Sequence, residues 1–205
     1  MPNFKKGGVL IGLQVGGAVP GLDRANLAAQ APYSALLTEN VQAAAGVGFR
    51  LVYNILGHAS LGADFTATGW DVFNDRRGGA GFLVGLIAWH PLELFFLQKE
   101  ERPFGLDFNT HVGLGYGIVG GSVPAAWGMD GITVQWGLAI DYFLTKWFAV
   151  EFFAKCNFIK HDKFYYDWDS AHRNPPVSGS YATLNPTGNG TWWHTGIALV
   201  LRIGD

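Results

Sequence analysis

Apolar and polar positions alternate with a period of two through eight segments of this chain, and a two-residue period is the signature of strands with unlike faces. In the first segment Val9, Ile11, Leu13 and Val15 share one parity against Leu10, Gly12, Gln14 and Gly16. The second sets Val47, Phe49, Leu51 and Tyr53 against Gly46, Gly48, Arg50, Val52 and Asn54, and the third sets Leu61, Ala63, Phe65 and Ala67 against Ser60, Gly62, Asp64, Thr66 and Thr68. In the fourth, Phe82, Val84, Leu86 and Ala88 are taken as the apolar face and Gly81, Leu83, Gly85 and Ile87 as the other. The fifth opposes Leu106, Phe108, Val112, Leu114, Tyr116 and Ile118 to Asp107, Asn109, His111, Gly113, Gly115 and Gly117. The last three follow suit: Ile132 to Tyr142 by twos against Thr133, Gln135 and Asp141; Phe148, Val150, Phe152, Ala154 and Phe158 against Glu151, Phe153, Lys155 and Asn157; and Trp193, Ile197, Leu199, Leu201 and Ile203 against His194, Ala198 and Arg202. The pattern predicts strands near 8–18, 41–54, 60–69, 80–89, 105–119, 131–143, 147–158 and 192–204 in a single domain spanning residues 1–205.

The placement of charge separates a membrane barrel from a soluble sandwich. Arg50, Asp64, Asp107, Asp141, Glu151, Lys155 and Arg202 all fall on the polar parity of their strands, as do Gln14, Asn54, Asn109, Gln135 and Asn157. The rest of that parity is mostly Gly and Ala, which suit a narrow, crowded bore rather than a solvated sheet face. Aromatics sit near strand ends, as interfacial girdles do: Tyr53, Phe108, Tyr142 and Phe148 in one belt, Phe82, Tyr116, Phe158 and Trp193 in the other. Connections alternate between short turns (54–59, 143–146) and long polar loops (19–40, 70–79, 120–130, 159–191), the long ones expected on the extracellular side. The stretch 90–104, HPLELFFLQKEERPF, is long for the short-turn side, and Pro91 points to a short helical or irregular turn. The expected fold is all-β: a transmembrane, antiparallel, up-and-down barrel of about eight strands.

Composition agrees. Charged residues are 15% of the 205, against about 25% in an ordinary soluble domain, while aromatics reach 15% and glycines number 29. Mean hydropathy is +0.15, yet no window offers the roughly 18 unbroken apolar residues of a membrane helix. A net charge of −2 leaves no basic footprint for nucleic acid. A single cysteine, Cys156, excludes an intrachain disulfide and a cysteine metal cage. Lys5-Lys6 before the apolar run 9–19 has the outline of a signal peptide, but Gly12, Gln14 and Gly16 break the run at every second position. That run reads as a strand, so the export signal of an outer-membrane protein is expected to have been removed before Met1.

The chain resembles the small outer-membrane barrels of the OmpA-domain, OmpX and OmpW type. The resemblance spans essentially its whole length and includes HVGLGYGIVGG at 111–121 and the strand–turn–strand unit LAIDYFLTKWFAVEFFAK at 138–155. It implies integral residence in the bacterial outer membrane, among its lipid and lipopolysaccharide. It fixes architecture far better than function. The chain departs from that type in ending Leu201-Arg202-Ile203-Gly204-Asp205 rather than on an aromatic residue, and an OmpA-like wall-anchoring role is not expected of it.

Candidate chemistry falls in two places. The inward charges Arg50, Asp64, Asp107, Asp141, Glu151, Lys155 and Arg202 either line a conduction path or pair into a plug, and an eight-stranded bore that side chains can fill favours the plug. Glu151 and Lys155 are expected to find partners on adjacent strands, with Asp141 and Arg202 as candidates. The second place is the loop 159–191, where Phe164, Tyr165, Tyr166 and Trp168 stand among charges, either as a surface that recognises an envelope protein partner or as aromatics of strands that extend past the membrane, packing a loop cap or lying in the headgroup zone. Lys160, Lys163, Arg76, Arg77 and Arg173 are either lipopolysaccharide contacts or solvated loop charges. Asp167-Trp168-Asp169 offers two carboxylates to Ca²⁺, but a two-Asp fragment is a weak metal signal, and neither a metal nor a cofactor is expected. His58-Ala59-Ser60 superficially resembles the His and Ser of lipid-modifying barrels but falls on the short-turn side, and His111 and His194 point inward on different strands. A catalytic site is therefore not expected. The functional readings are a non-enzymatic structural or docking barrel, an OmpW-like passive conduit for small, hydrophobic solutes and, least favoured, a lipid-modifying enzyme.

Overall fold

The computed structural model describes residues 7–22, 44–72, 76–92, 105–121, 127–166 and 188–204. They form eight strands: β1 (Val9–Leu22), β2 (Ala44–Asn54), β3 (Ala59–Val72), β4 (Arg76–Trp89), β5 (Leu106–Gly121), β6 (Trp127–Phe143), β7 (Phe148–Tyr166) and β8 (Gly188–Ile203). Each pairs antiparallel with its sequence neighbours, and β1 pairs with β8 from Val9↔Ile203 to Leu22↔Gly190 to close the barrel. Closure matters because hydrocarbon offers no partner to an unpaired backbone N–H or C=O. Outward positions carry exposed Leu13, Val47, Leu83, Leu114, Ile118 and Phe152, a wall of apolar side chains with no water-soluble counterpart.

Hydrogen-bonded turns fix the short-turn end. At the β2–β3 turn the Gly57 N–H donates to Asn54 Oδ1 (2.6 Å) and Asn54 Nδ2 donates back to the Gly57 carbonyl (3.0 Å). Gly57 has φ of 83°, which favours glycine. At the β6–β7 turn Thr145 Oγ1 accepts from the N–H groups of Trp147 (3.2 Å) and Phe148 (3.1 Å). After β4, residues 91–92 are helical, and the remainder of the 90–104 connection, 93–104, lies outside the described residues.

At the opposite end the strands run further than alternation predicts. Residues expected in the loop 70–79 largely form the β3–β4 hairpin, β6 begins at Trp127 inside the expected loop 120–130, and β7 continues to Tyr166 and β8 starts at Gly188 inside the expected loop 159–191. β1 likewise extends to Leu22, while 23–43 lie outside the described residues. Beyond the hydrocarbon both faces of a strand are wet, so no apolar alternation is required there to sustain pairing. β7 has 19 residues where about 9–11 cross a bilayer. A β-bulge between Asp130 and Gly131 shifts the β6–β7 register near the start of this extension.

The fourth strand is turned over relative to expectation. Phe82, Val84, Leu86 and Ala88 are buried in the bore, while Gly85, Leu83 and Ile87 face outward. Phe82 is therefore an interior residue and no part of an aromatic girdle; Tyr53, Tyr116, Tyr142, Phe158 and Trp193 are exposed on the outer wall. Register decides the phase: Val84 lies opposite inward Asp64, and Phe82 opposite inward Thr66. The inward side chains form two apolar clusters, one with Leu10, Val52, Phe143 and Val200 toward the short turns, the other with Phe82, Val84, Val119, Ile159 and Trp192 toward the loops. Cys156 has outward parity, yet it is fully buried in register between Trp136 of β6 and Trp193 of β8.

Phe82→Ala should cost about 3–5 kcal/mol in chemical unfolding from lipid vesicles, as large-to-small core changes do. Leu83→Ala on the lipid face should cost much less, and the opposite ranking would restore the expected phase. Leu114→Arg, in the middle of the lipid-facing wall, should cost about 2–4 kcal/mol.

Candidate functional site

Between the two apolar clusters the bore is polar, and its centre is Asp64 of β3. Asp64 Oδ2 accepts from Arg50 Nε of β2 (3.0 Å) and Gln14 Nε2 of β1 (3.2 Å). Its Oδ1 accepts from Lys155 Nζ of β7 (2.5 Å), Thr66 Oγ1 (2.9 Å) and, at 3.4 Å, Gln135 Nε2 of β6. Lys155 also donates to Gln14 Oε1 (2.7 Å) and Thr66 Oγ1 (2.6 Å), and Arg50 Nη1 reaches Glu151 Oε2 of β7 at 2.9 Å. Lys155 and Asp64 are fully enclosed. Taking such charges out of water costs several kcal/mol per ion, which only this density of partners offsets.

Four of the seven inward charges thus meet in one network: Arg50, Asp64, Glu151 and Lys155. Their pairing differs from expectation. Glu151 and Lys155 bond to Arg50 and Asp64 across the bore, not to Asp141 and Arg202 on the strands beside them. An eight-stranded bore is narrow enough for Arg and Lys to span, so opposite walls become the nearer neighbours. Asp107, Asp141 and Glu151 stand in register across β5, β6 and β7, a row of adjacent carboxylates that would repel one another if left alone. The outer two bind cationic or histidine partners, and Asp141 accepts from Asn109 Nδ2 (3.1 Å). Arg202 is buried near the short turns opposite Leu10, and no hydrogen bond joins it to the central network among the described residues.

Glycines seat the polar side chains. A Cβ at Gly137 would collide with the His111 ring and Lys155 Cβ, and one at Gly48 with Gln14 Oε1. The inward glycines of β2 and β6 are thus gaps into which long polar residues of their neighbours fold.

Sequence reasoning missed His90, the first residue of the stretch read as an irregular turn. Its Nδ1 lies 2.7 Å from Asp107 Oδ2 and its Nε2 3.1 Å from Ser60 Oγ, so Ser60 is tied to His90 rather than to His58. The order Ser–His–Asp is that of a nucleophile, base and orienting acid. Ser60, His90 and Asp107 are all buried inside the bore. The chain ties together the ends of β3, β4 and β5. Among the described residues no cluster of His, Cys, Asp or Glu is arranged to hold a metal.

Phe164, Tyr165 and Tyr166 belong to strand β7 rather than to a loop, opposite Met129, Gly128 and Trp127 of β6. Trp168, Asp167, Asp169 and Arg173 lie outside the described residues. Lys160 is exposed two residues beyond the outward-facing Phe158 on β7.

A closed barrel of eight antiparallel strands, apolar outside and packed with paired charges inside, defines a small transmembrane β-barrel of the outer-membrane type. Solved structures carry the same fold. The outer membrane protein OprG of Pseudomonas aeruginosa superposes with a TM-score of 0.58 at 11% identity, covering 99% of this chain and 99% of that one. Neisserial surface protein A matches at 0.55 and 9% identity over 95% of this chain and 99% of that one. Ail, the attachment invasion locus protein of Yersinia pestis, matches at 0.53 and 8% identity over 96% of this chain and 100% of that one. No family model and no curated protein matches the sequence.

Arg50→Ala or Lys155→Ala should each lower the unfolding free energy by about 3–5 kcal/mol, because each strands a buried carboxylate. Adding Glu151→Ala to Arg50→Ala should recover part of that loss. Additive losses in this double-mutant cycle would show that the Arg50–Glu151 contact is not coupled.

Proposed function

We propose that this protein is a non-enzymatic, non-conducting barrel of the bacterial outer membrane whose loop-side extension docks a protein partner in the cell envelope. The observation that carries the reading is the Arg50–Asp64–Glu151–Lys155 layer, held in the bore between two apolar clusters. Ions entering such a bore would have to break several charge-assisted hydrogen bonds, each stronger than a neutral one. With the bore filled, the surfaces left to act are the outer wall and the ends. The paired extension of β6 and β7 carries Phe164, Tyr165 and Tyr166, a composition common at recognition surfaces.

A passive conduit is the second reading, and a separate observation favours it. Gly16, Gly17, Gly46 and Gly48 leave the wall between β1 and β2 thin, beside a small cavity of about 10 Å³ that Gln14 and His194 also line. A small apolar solute leaving sideways into lipid would pass here. The β1–β2 ladder is continuous across this stretch, so the route requires strand separation.

Reconstituted in planar bilayers, the protein should show no large, stable conductance; a steady ion-selective current would replace the docking reading with a pore. A cysteine at Ser178, between β7 and β8, should react with a membrane-impermeant thiol reagent on intact cells. One at Thr145, in the β6–β7 turn, should react only after the outer membrane is breached. The reverse pattern would put the extension on the periplasmic side.

A further inference from the structure

Beneath the ion-pair layer, toward the short turns, the bore contains a chamber of about 20 Å³. Leu10, Val52 and Val200 form its apolar wall, and Arg50, His111 and Glu151 line its polar side. Arg50 Nη2 and both ring nitrogens of His111 are buried with no hydrogen-bond partner among the described residues. Gly137 makes the room in which the His111 ring lies, since a Cβ there would strike the ring. A buried polar atom without a partner is costly enough that native interiors rarely tolerate it, and the two residues that carry these atoms, Arg50 and His111, both line this chamber.

We infer that this chamber is a binding site for a structural water molecule that bridges Arg50 and His111. Size and chemistry both select water. A site needs roughly 10–15 Å³ to hold one water, so this chamber accepts one and excludes larger solutes. Neutral imidazole presents one donor and one acceptor, and the guanidinium presents a donor. A water accepts from Arg50 Nη2, exchanges a second bond with His111 and has a donor left for Glu151 or Asn109, which also line the chamber. An anion is disfavoured because Arg50 already holds Asp64 and Glu151, and a cation because the positively charged Arg50 lines the space. His90 lines the same chamber, but Asp107 and Ser60 already engage both its ring nitrogens, so it bounds the space without bonding the water. The inference is independent of whether the barrel docks a partner or passes a solute.

Gly12 permits a direct test. A Cβ added there would meet Arg50 Cβ at 3.7 Å and Val200 Cγ2 at 3.8 Å, ordinary contacts, and would occupy part of the chamber. Gly81 is the reference, because a Cβ there meets nothing within 4 Å. Both changes restrict the unfolded chain alike, so their difference reports the chamber. In nanodiscs, the wild type should give water cross-peaks of long residence to the Val52 and Val200 methyls and none to Leu13 on the lipid face. Gly12→Ala should abolish them and lower the urea midpoint relative to Gly81→Ala. Absence of those cross-peaks in the wild type, with Gly12→Ala at least as stabilising as Gly81→Ala, would show a dry chamber and overturn the inference.

Discussion

One carboxylate organises the interior. Asp64 on β3 collects hydrogen bonds from β1, β2, β6 and β7, so a single side chain links strands from both sides of the bore. Backbone pairing holds each strand only to its two neighbours. The Asp64 network instead braces the barrel across its diameter and fixes which inward residues must stand at the same height. Gln14 can bond both Asp64 and Lys155 only because Gly48 leaves it space, so the glycine pattern of the bore and its charge pattern are one arrangement.

The two ends are built on different principles. Toward the short turns, side chains close two connections onto their own backbone, Asn54 onto Gly57 and Thr145 onto Trp147 and Phe148, and the Ser60 hydroxyl bonds the His90 ring. The first residues of the barrel are stitched in as well, the Gly7 N–H donating to the Asn54 carbonyl at 2.8 Å. Toward the loops, strands simply continue past the apolar wall, with β7 the longest. One end is tied shut by local hydrogen bonds, while the other projects as paired strand.

Seven strands were legible in phase because each carries at least one polar residue that must face inward: Gln14, Arg50, Asp64, Asp107, Gln135, Glu151 and His194 are examples. β4 carries none between Gly78 and Trp89, so hydrophobicity alone could not tell its faces apart. Only its register with Asp64 does, and register is not written in one strand. Arg50, Asp64, Glu151 and Lys155 of the central network lay on the same polar parity, but parity put Asp107, Asp141 and Arg202 beside them as well, and neither the grouping nor the pairing was legible, because contacts across a bore depend on barrel diameter and stagger. His90 escaped notice because the following Pro91 breaks the alternation just where the residue acquires its partners.

The position of Cys156 has a practical side. By parity it belongs to the lipid-facing wall, where a thiol would ordinarily meet any reagent that partitions into the bilayer. Flanked in register by Trp136 and Trp193, it is instead fully covered. The folded barrel therefore keeps its native thiol covered, and a gain in reactivity at Cys156 would signal that β7 had parted from its neighbours. The chain has its own built-in reporter of wall integrity, readable without adding any residue.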